Sequence, residues 1–390
     1  MRPPRAVERF QLGGIASVQP FADRGNINPE CWLVESDQGK FLVQKTNTLV
    51  FCDPRRVMDG ATAWLAAQDR LMREGALPPG WQAFSFATTP EGSNLVEDGS
   101  GWWRAMSLIE GVRCYKRLSD VGDRDRQLAI AREIGRGLAA AAAIGSHVRL
   151  DRGSLPGFHD TEGYYRQLEA VLRECTDVSQ CTDLLPTDPL VLDATRHLYT
   201  VRDGSLLSQR LAQIGPMVEA LLRDRPAAMA LRDMWCEATA VHGDTKLENF
   251  LFDAEGRVVA LVDLDTVMPG PWELDWADAV RSLANPAGEI VADRETVRYD
   301  AEVEHAMREG FLGARSAPLD PEVSARMCRA ALAMTLEQAL RFATDYLRGD
   351  TYYHVPADAP DLNRNRAEVQ MRLASQMRDA YAASLSISGP

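Results

Sequence analysis

Up to about residue 110 the apolar positions fall in short β-prone runs, and beyond it they mostly recur at helical spacing. Residues 30–51, ECWLVESDQGKFLVQKTNTLVF, read as two strands, Cys31-Trp32-Leu33-Val34 and Phe41-Leu42-Val43, with Ser36-Asp37-Gln38-Gly39 as turn material between them. Asp53-Pro54 has the chemistry of an N-cap followed by a proline in the first turn. It predicts a helix continuing through Val57, Ala61, Trp64, Leu65 and Leu71-Met72. Residues 81–110 return to strand-like segments, among them Trp102 to Ile109. Arg126 to Ile144 is alanine-rich, with Leu128, Ile130, Ile134, Leu138 and Ala142 near helical spacing. Residues 160–235 carry further helical patterns around a polar, turn-rich stretch from Cys175 to Pro189. Short strands are predicted at Asn249–Phe252 and Val258–Val262 around an Asp253-Ala254-Glu255-Gly256 turn. Amphipathic helices fill about 290–385, before a loose tail, SLSISGP. The fold class is therefore α+β: a small, mostly-β unit over 1–110 with one helix, and a large, mostly helical unit over 111–390.

Composition narrows the function. At 390 residues the chain has room for two or three structural units. Its formal net charge of −13 argues against a general nucleic-acid binder, which needs a basic surface for phosphate contacts. No apolar run approaches the roughly 20 residues of a membrane span. The start, MRPPRAVERFQLGG, has two early arginines with no apolar stretch behind them, unlike a secretory signal. Seven cysteines (Cys31, Cys52, Cys114, Cys175, Cys181, Cys236 and Cys328) are scattered without a CxxC pair. That suits a reducing cytoplasm better than a disulfide framework or a zinc site. The oligomeric state is not legible, and a monomer is the working reading.

The most informative stretch is VHGDTKLENFLFDAEGRVVALVDLDTVMPG, residues 241–270. It crowds Asp244, Asn249, Asp263 and Asp265 together although like charges repel. Carboxylates cluster to hold a divalent cation or to work on a proton. The order His-x-Asp-x-x-x-x-Asn, then a strand ending in Asp, resembles the catalytic loop and metal-binding Asp of kinase-like phosphotransferases. On that reading Asp244 accepts the acceptor hydroxyl's proton, and Asn249 and Asp263 hold Mg2+. Asp265, two residues on, would share the strand face of Asp263 and add a second metal group or a supporting one. For any single Asp a solvated turn is the commoner case, and it is the combination that points to chemistry. His242 reads as a structural hydrogen bonder within the loop.

Such chemistry needs a nucleotide lobe, and the N-terminal unit offers one. Gly25, Asn26 and Asn28 form a short loop before the first strand whose backbone N–H groups can meet phosphates. Lys45, ending the second strand, can reach the α- and β-phosphates, although a strand-edge lysine in solvent is as common. Asp59 and Glu74 on the following helix are its candidate partners. MSLIEG, residues 106–111 and including Glu110, falls where the chain leaves the small lobe, so its backbone would meet the adenine edge of ATP.

With HGDTKLEN, VDLDTVMPG, QKTNTLVFCDPRRVM, LPGFHDTEGYY, LRFATDYLRGDTYYHV and NRNRAEVQMRL, the sequence resembles the aminoglycoside phosphotransferase and choline kinase superfamily. Within it the chain looks most like the N-acetylhexosamine 1-kinase group, and there is no Walker A pattern. The resemblance implies a two-lobed protein-kinase-like fold, ATP and Mg2+ as cofactors, and transfer to the anomeric hydroxyl of N-acetylglucosamine or N-acetylgalactosamine. It also implies that Asp244 matches the base, that Asp263 matches the metal-binding Asp, and that Arg341 and Tyr352 hold the sugar. Taken alone, Arg341 reads as a helix ion pair with Asp345 and Tyr352 as packing. Two departures stand out: Lys45 where relatives often have Arg, and Asp59 where Glu is common. The alternatives are a kinase of another small hydroxyl acceptor (hexose, aminoglycoside or choline-like amino-alcohol) and a non-catalytic nucleotide-binding protein.

Overall fold

A computed structural model of the chain describes residues 3–21, 27–28, 30–237, 239–314 and 321–382. Gly25 and Asn26 of the expected phosphate loop lie outside the described residues. The N-terminal part is a five-stranded antiparallel sheet built from β1 (Ile15–Pro20), β2 (Cys31–Ser36), β3 (Gly39–Lys45), β4 (Val96–Glu97) and β5 (Trp102–Ser107), in the order β1-β2-β3-β5-β4. β2 and β3 turn at Asp37-Gln38, with Gly39 at φ +119°, and the register pairs Val34 with Phe41 and Cys31 with Gln44. Helix α1 (Pro54–Arg73) starts where its cap chemistry places it: the Asp53 side chain accepts from the Arg55 N–H and Pro54 occupies the first turn.

Helices dominate the rest: α2 (Arg124–Gly145), α3 (Thr161–Leu172), α4 (Pro189–Thr195), α5 (Gly204–Arg223), the single turns α6 (Arg225–Ala228) and α7 (Ala230–Asp233), α8 (Glu273–Leu283), α9 (Ala301–Gly313), α10 (Pro321–Arg348) and α11 (Leu362–Ala380). Into them are set β6 (Thr239–Val241), β7 (Phe250–Phe252), β8 (Val258–Leu261) and β9 (Met268–Gly270), paired β6–β9 and β7–β8. The two lobes expected from the sequence are present, a small sheet and a large helical body. α10 is buried over most of its length, including Glu337, Asp345 and Arg348, and α3, α5, α8 and α11 pack around it. α2 crosses α9 closely: a Cβ on Gly135 would lie 1.9 Å from the Met307 carbonyl oxygen, and one on Gly310 would lie 1.8 Å from that of Arg132.

The cores do not divide where the chain does. The sheet closes over its own cluster, with Phe10, Trp32, Val43 and Trp103. Ala61, Trp64 and Leu71 of α1, with Trp81 and Phe84, instead join the large C-terminal core. α1 thus belongs to the small lobe by sequence and to the large lobe by packing. Among the described residues no helix is long and apolar enough to cross a membrane. Cys175 and Cys181 do meet, both buried, and burial followed by the neighbouring Cys175 pushes the Cys181 thiol up to about 11, so it is unreactive at neutral pH.

Candidate active site

The β7–β8 hairpin, nested within the β6–β9 pair, brings the acidic stretch together. The segment 242–249 joins β6 to β7, and 262–267 joins β8 to β9. They are stitched by the Val262 N–H donating to the Asn249 carbonyl (2.9 Å) and by the Thr266 hydroxyl donating to the His242 carbonyl (2.8 Å). His242 is fully buried, its Nε2 2.9 Å from the Val262 carbonyl and its Nδ1 accepting from the Asp244 N–H at 3.3 Å. That assigns the neutral Nε2–H tautomer and a supporting part for this side chain.

Helix α8 clamps the loop from beneath. Asp275 accepts from the N–H groups of His242 and Gly243, both at 2.8 Å. Asp278, one turn on, accepts from the Thr245 N–H at 3.0 Å. Gly243 sits at φ +82°, and a Cβ there would lie 2.7 Å from the Thr266 carbonyl oxygen, so only glycine fits.

Asp244 is held on one side only. Its Oδ2 takes the Lys246 ammonium at 2.9 Å and the Asn249 amide at 3.1 Å. Among the described residues its Oδ1 has no partner, and the side chain is 27% exposed. Burial lowers the Lys246 pKa, but the charge and hydrogen bond of Asp244, with the charges of Asp263 and Glu248, together hold the ammonium well above its usual range. Since Asn249 also donates its amide to the Asp244 carbonyl at 2.7 Å, its Oδ1 remains as an acceptor.

Asp263 and Asp265 do not share a face. The strand ends at Leu261, Asp263 adopts a left-handed φ of +67°, and Leu264–Thr266 turns as a 3-10 helix. That kink breaks the two-residue alternation that a continuous strand would have imposed. Asp263 is exposed, whereas Asp265 is 3% exposed. Both Asp265 oxygens are already engaged: Oδ1 forms an ion pair with Arg104 of β5, and Oδ2 accepts from Asn28 at 3.1 Å. Its geometry is that of a link between lobes rather than a metal ligand. Asn28, expected in a phosphate loop, is buried in this link and also accepts from the Asn47 N–H. Asp263 keeps its carboxyl open, with its pKa pushed up to about 6 by desolvation within the site and by the like charges of Asp265 and Asp244. A cation would relieve that repulsion.

Among the described residues no three His, Cys, Asp or Glu side chains stand close enough to hold a metal by themselves. A cation here would rest on Asp263, the Asn249 oxygen and the phosphates it accompanies, which is the usual way magnesium is bound. Lys45 pairs with Glu30 at 3.3 Å and lies 5.8 Å from the Trp103 ring centroid, so neither Asp59 nor Glu74 is its partner. Glu110 pairs at the surface with Lys40 at 2.7 Å. The chain leaving β5 is tied to β7 through reciprocal backbone bonds between Arg113 and Phe252, both 2.8 Å.

Arg341 and Tyr352 are brought together. The guanidinium lies 5.0 to 5.9 Å from the ring centroids of Tyr164, Phe158, Tyr353 and Tyr352, and donates to Gln338 at 3.0 Å. Asp345, four residues on, is not its partner. It accepts from the N–H groups of Thr351, Tyr352 and Tyr353 and from the Asn363 amide, and so shapes the loop that presents Tyr352, a ring left 46% exposed. Burial raises the Asp278 pKa, but the Arg281 guanidinium, by its charge and its hydrogen bond, holds it below its usual range. Glu337, likewise buried, is held low by His159 and Arg341. Residue type and spacing had pointed to none of Arg104, Lys246, Asp275, Asp278, His159 or Glu337.

Residues 18–309 match the model of a family described as the phosphotransferase enzyme family, APH, a span running from β1 through both strand pairs of the site and α8 into α9. Among solved structures the chain is similar to an aminoglycoside phosphotransferase from Alicyclobacillus acidocaldarius, at 16% identity and a TM-score of 0.54, covering 98% of this chain and 97% of that one. It is similar to an amicoumacin kinase solved in complex with AMP-PNP, Ca2+ and Ami, at 13% identity and 0.53, covering 94% and 92%. A choline kinase from Cryptosporidium parvum matches at 12% identity and 0.50, covering 98% and 95%. At such identities the structures establish a shared fold, and the family match, which takes in well over half the chain and both strand pairs of the site, establishes more: the chain belongs to the APH phosphotransferase enzyme family.

Proposed function

We propose that the chain is an ATP- and Mg2+-dependent sugar kinase that moves the γ-phosphate to the anomeric hydroxyl of N-acetylglucosamine or N-acetylgalactosamine, giving the sugar 1-phosphate. A phosphotransferase acting on a small molecule follows from the family itself. The observation that supports the finer reading is Arg341, a cation enclosed by aromatic rings beside the half-exposed Tyr352. A cationic aminoglycoside or choline-like acceptor would meet a positive charge already in place. A neutral sugar can instead offer ring oxygens or an acetyl carbonyl to the guanidinium and its apolar face to the tyrosine. The nucleotide and divalent ion in the amicoumacin kinase complex support the cofactor assignment.

Asp244 directs its partnerless Oδ1 at the sugar hydroxyl and takes its proton as the oxygen meets the γ-phosphorus. Lys246 and Asn249 fix the carboxylate's orientation through Oδ2. Most of the rate in such transfers comes from positioning and charge neutralisation. Asp263 and the Asn249 oxygen would hold Mg2+, which when bound neutralises phosphate charge. Replacing Asp263 with Ala should weaken Mg2+-dependent ATP binding about tenfold or more, measured by calorimetric titration of ATP at fixed Mg2+. Unchanged affinity would remove that role.

The acceptor is tested by an ATP-consumption screen with Mg2+ over N-acetylglucosamine, N-acetylgalactosamine, glucosamine, galactose, glucose, choline and kanamycin, with phosphorus NMR of any product. A sugar 1-phosphate supports the reading. Turnover of choline or kanamycin alone discards the sugar, and ATP binding without turnover of any acceptor favours a binding protein.

A further inference from the structure

The LPGFHDTEGYY stretch places one histidine in circumstances that the structure of the lobe does not require. His159 is 8% exposed, and among the described residues its Nε2 has no hydrogen-bond partner. Everything else about it is fixed. Its Nδ1 lies 2.8 Å from the Glu337 carboxylate, and Thr161 donates to that carboxylate's other oxygen. Its N–H donates to the Tyr164 hydroxyl at 3.0 Å, and its ring lies 4.0 Å, centroid to centroid, from Phe158. Its backbone is left-handed at φ +56°, uncommon outside glycine and asparagine and sustained only where surrounding structure enforces it.

These constraints determine what Nε2 presents. Glu337 is a carboxylate acceptor, so in a neutral ring Nδ1 carries the proton and Nε2 is the acceptor. A buried acceptor without a donor is costly, and native structures seldom leave one without cause. The ring is tied to the Arg341 end of the site. Toward α10, its partner Glu337 is one turn before Arg341 and shares that helix face. Tyr164, which takes the His159 N–H, is also one of the rings around Arg341.

We propose that His159 is an acceptor-binding residue: its Nε2 accepts a hydrogen bond from a hydroxyl or amide N–H of the sugar while Asp244 addresses the reacting hydroxyl, and Glu337, Thr161 and Tyr164 hold the imidazole in place for it. This rests on the sugar-kinase reading and extends it, because it makes acceptor choice depend on a donor group away from the transferred phosphate. It also explains why the loop tolerates a left-handed histidine.

Two variants separate this from a histidine that merely supports the fold. His159→Asn keeps a donor near the Nδ1 position for Glu337, tolerates the left-handed backbone and removes Nε2 alone. His159→Gln reaches toward the Nε2 position instead. With N-acetylglucosamine and N-acetylgalactosamine as probes, His159→Asn should raise the acceptor KM tenfold to a hundredfold, with the KM for ATP within about twofold and thermal stability nearly unchanged. His159→Gln should recover part of that loss. A series of deoxy and de-N-acetyl sugars should contain one member that wild type handles as poorly as His159→Asn handles the parent sugar, and on which the variant loses nothing further. Acceptor KM unchanged in His159→Asn, with sugar still phosphorylated by wild type, overturns this inference alone. Wild type inert toward every sugar overturns the functional reading and this inference with it.

Discussion

Replacing Asp244 with Asn should lower kcat by about 10²–10⁴-fold, the usual contribution of a positioned acid–base group, while ATP affinity stays within about twofold. The substitution is nearly isosteric, and an Asn side-chain oxygen in place of Oδ2 still faces Lys246 and the Asn249 amide, so the loop has little reason to move. The group that disappears is the carboxylate oxygen Oδ1, the one without a protein partner. ATP binding should survive because the groups proposed to meet phosphate and metal, Lys45, Asn249 and Asp263, are untouched. Steady-state kinetics with sugar as the varied substrate, beside calorimetry with ATP, separates the two effects. A variant keeping more than a tenth of wild-type kcat would show that Asp244 is not the base. Loss of ATP binding would instead mean that Asp244 belongs to the nucleotide site.

The parts of the site that the sequence made legible are those whose meaning is local. Asp53-Pro54 caps a helix through its own backbone, so α1 begins where its residues say it should. The order of Asp244, Asn249 and Asp263 survives translation into structure because the β7–β8 hairpin, nested within the β6–β9 pair, carries the whole segment. Lys45 was within reach too. A two-residue turn at Asp37-Gln38 sets a register that places Glu30 opposite Lys45, and Glu30 is its partner, whereas looking ahead to the helix led to Asp59 and Glu74. Asp265 could not be read, because one left-handed residue at 263 turns it from the cleft into the interior. His159 and Glu337 lie 178 positions apart and Arg104 and Asp265 161 apart, and no periodicity connects such pairs. Arg341 shows the converse. Its spacing to Asp345 invites a helix ion pair, but Asp345 is taken by three backbone N–H groups of the 351–353 loop, a demand visible only once that loop is folded.

The Arg104–Asp265 pair leads to the second large effect, on stability. Both side chains are nearly excluded from water, at 3% and 5% exposure, and the pair joins a strand of the sheet lobe to the turn that carries Asp263. Breaking a buried ion pair by removing one partner strands the other charge, at a typical cost of about 3–5 kcal/mol. Arg104→Met keeps much of the side-chain volume and deletes the charge, leaving Asp265 with Asn28 alone. We expect a loss of that order in urea unfolding. Arg104→Met combined with Asp265→Leu should lose less than Arg104→Met alone, because an apolar pair of similar volume leaves no charge to bury. The double variant thereby separates an unpaired charge from a simple packing defect. A single variant within about 1 kcal/mol of wild type, or a double variant that loses the sum of the two singles, would show that the pair does not link the lobes. The link also bears on function. Arg104 and Asn28 fix Asp265, and Asp265 is two residues from the exposed carboxylate proposed to hold the cation. Arg104→Met should therefore weaken Mg2+-ATP binding even at temperatures where the variant remains folded, although Arg104 is not among the groups proposed to touch nucleotide.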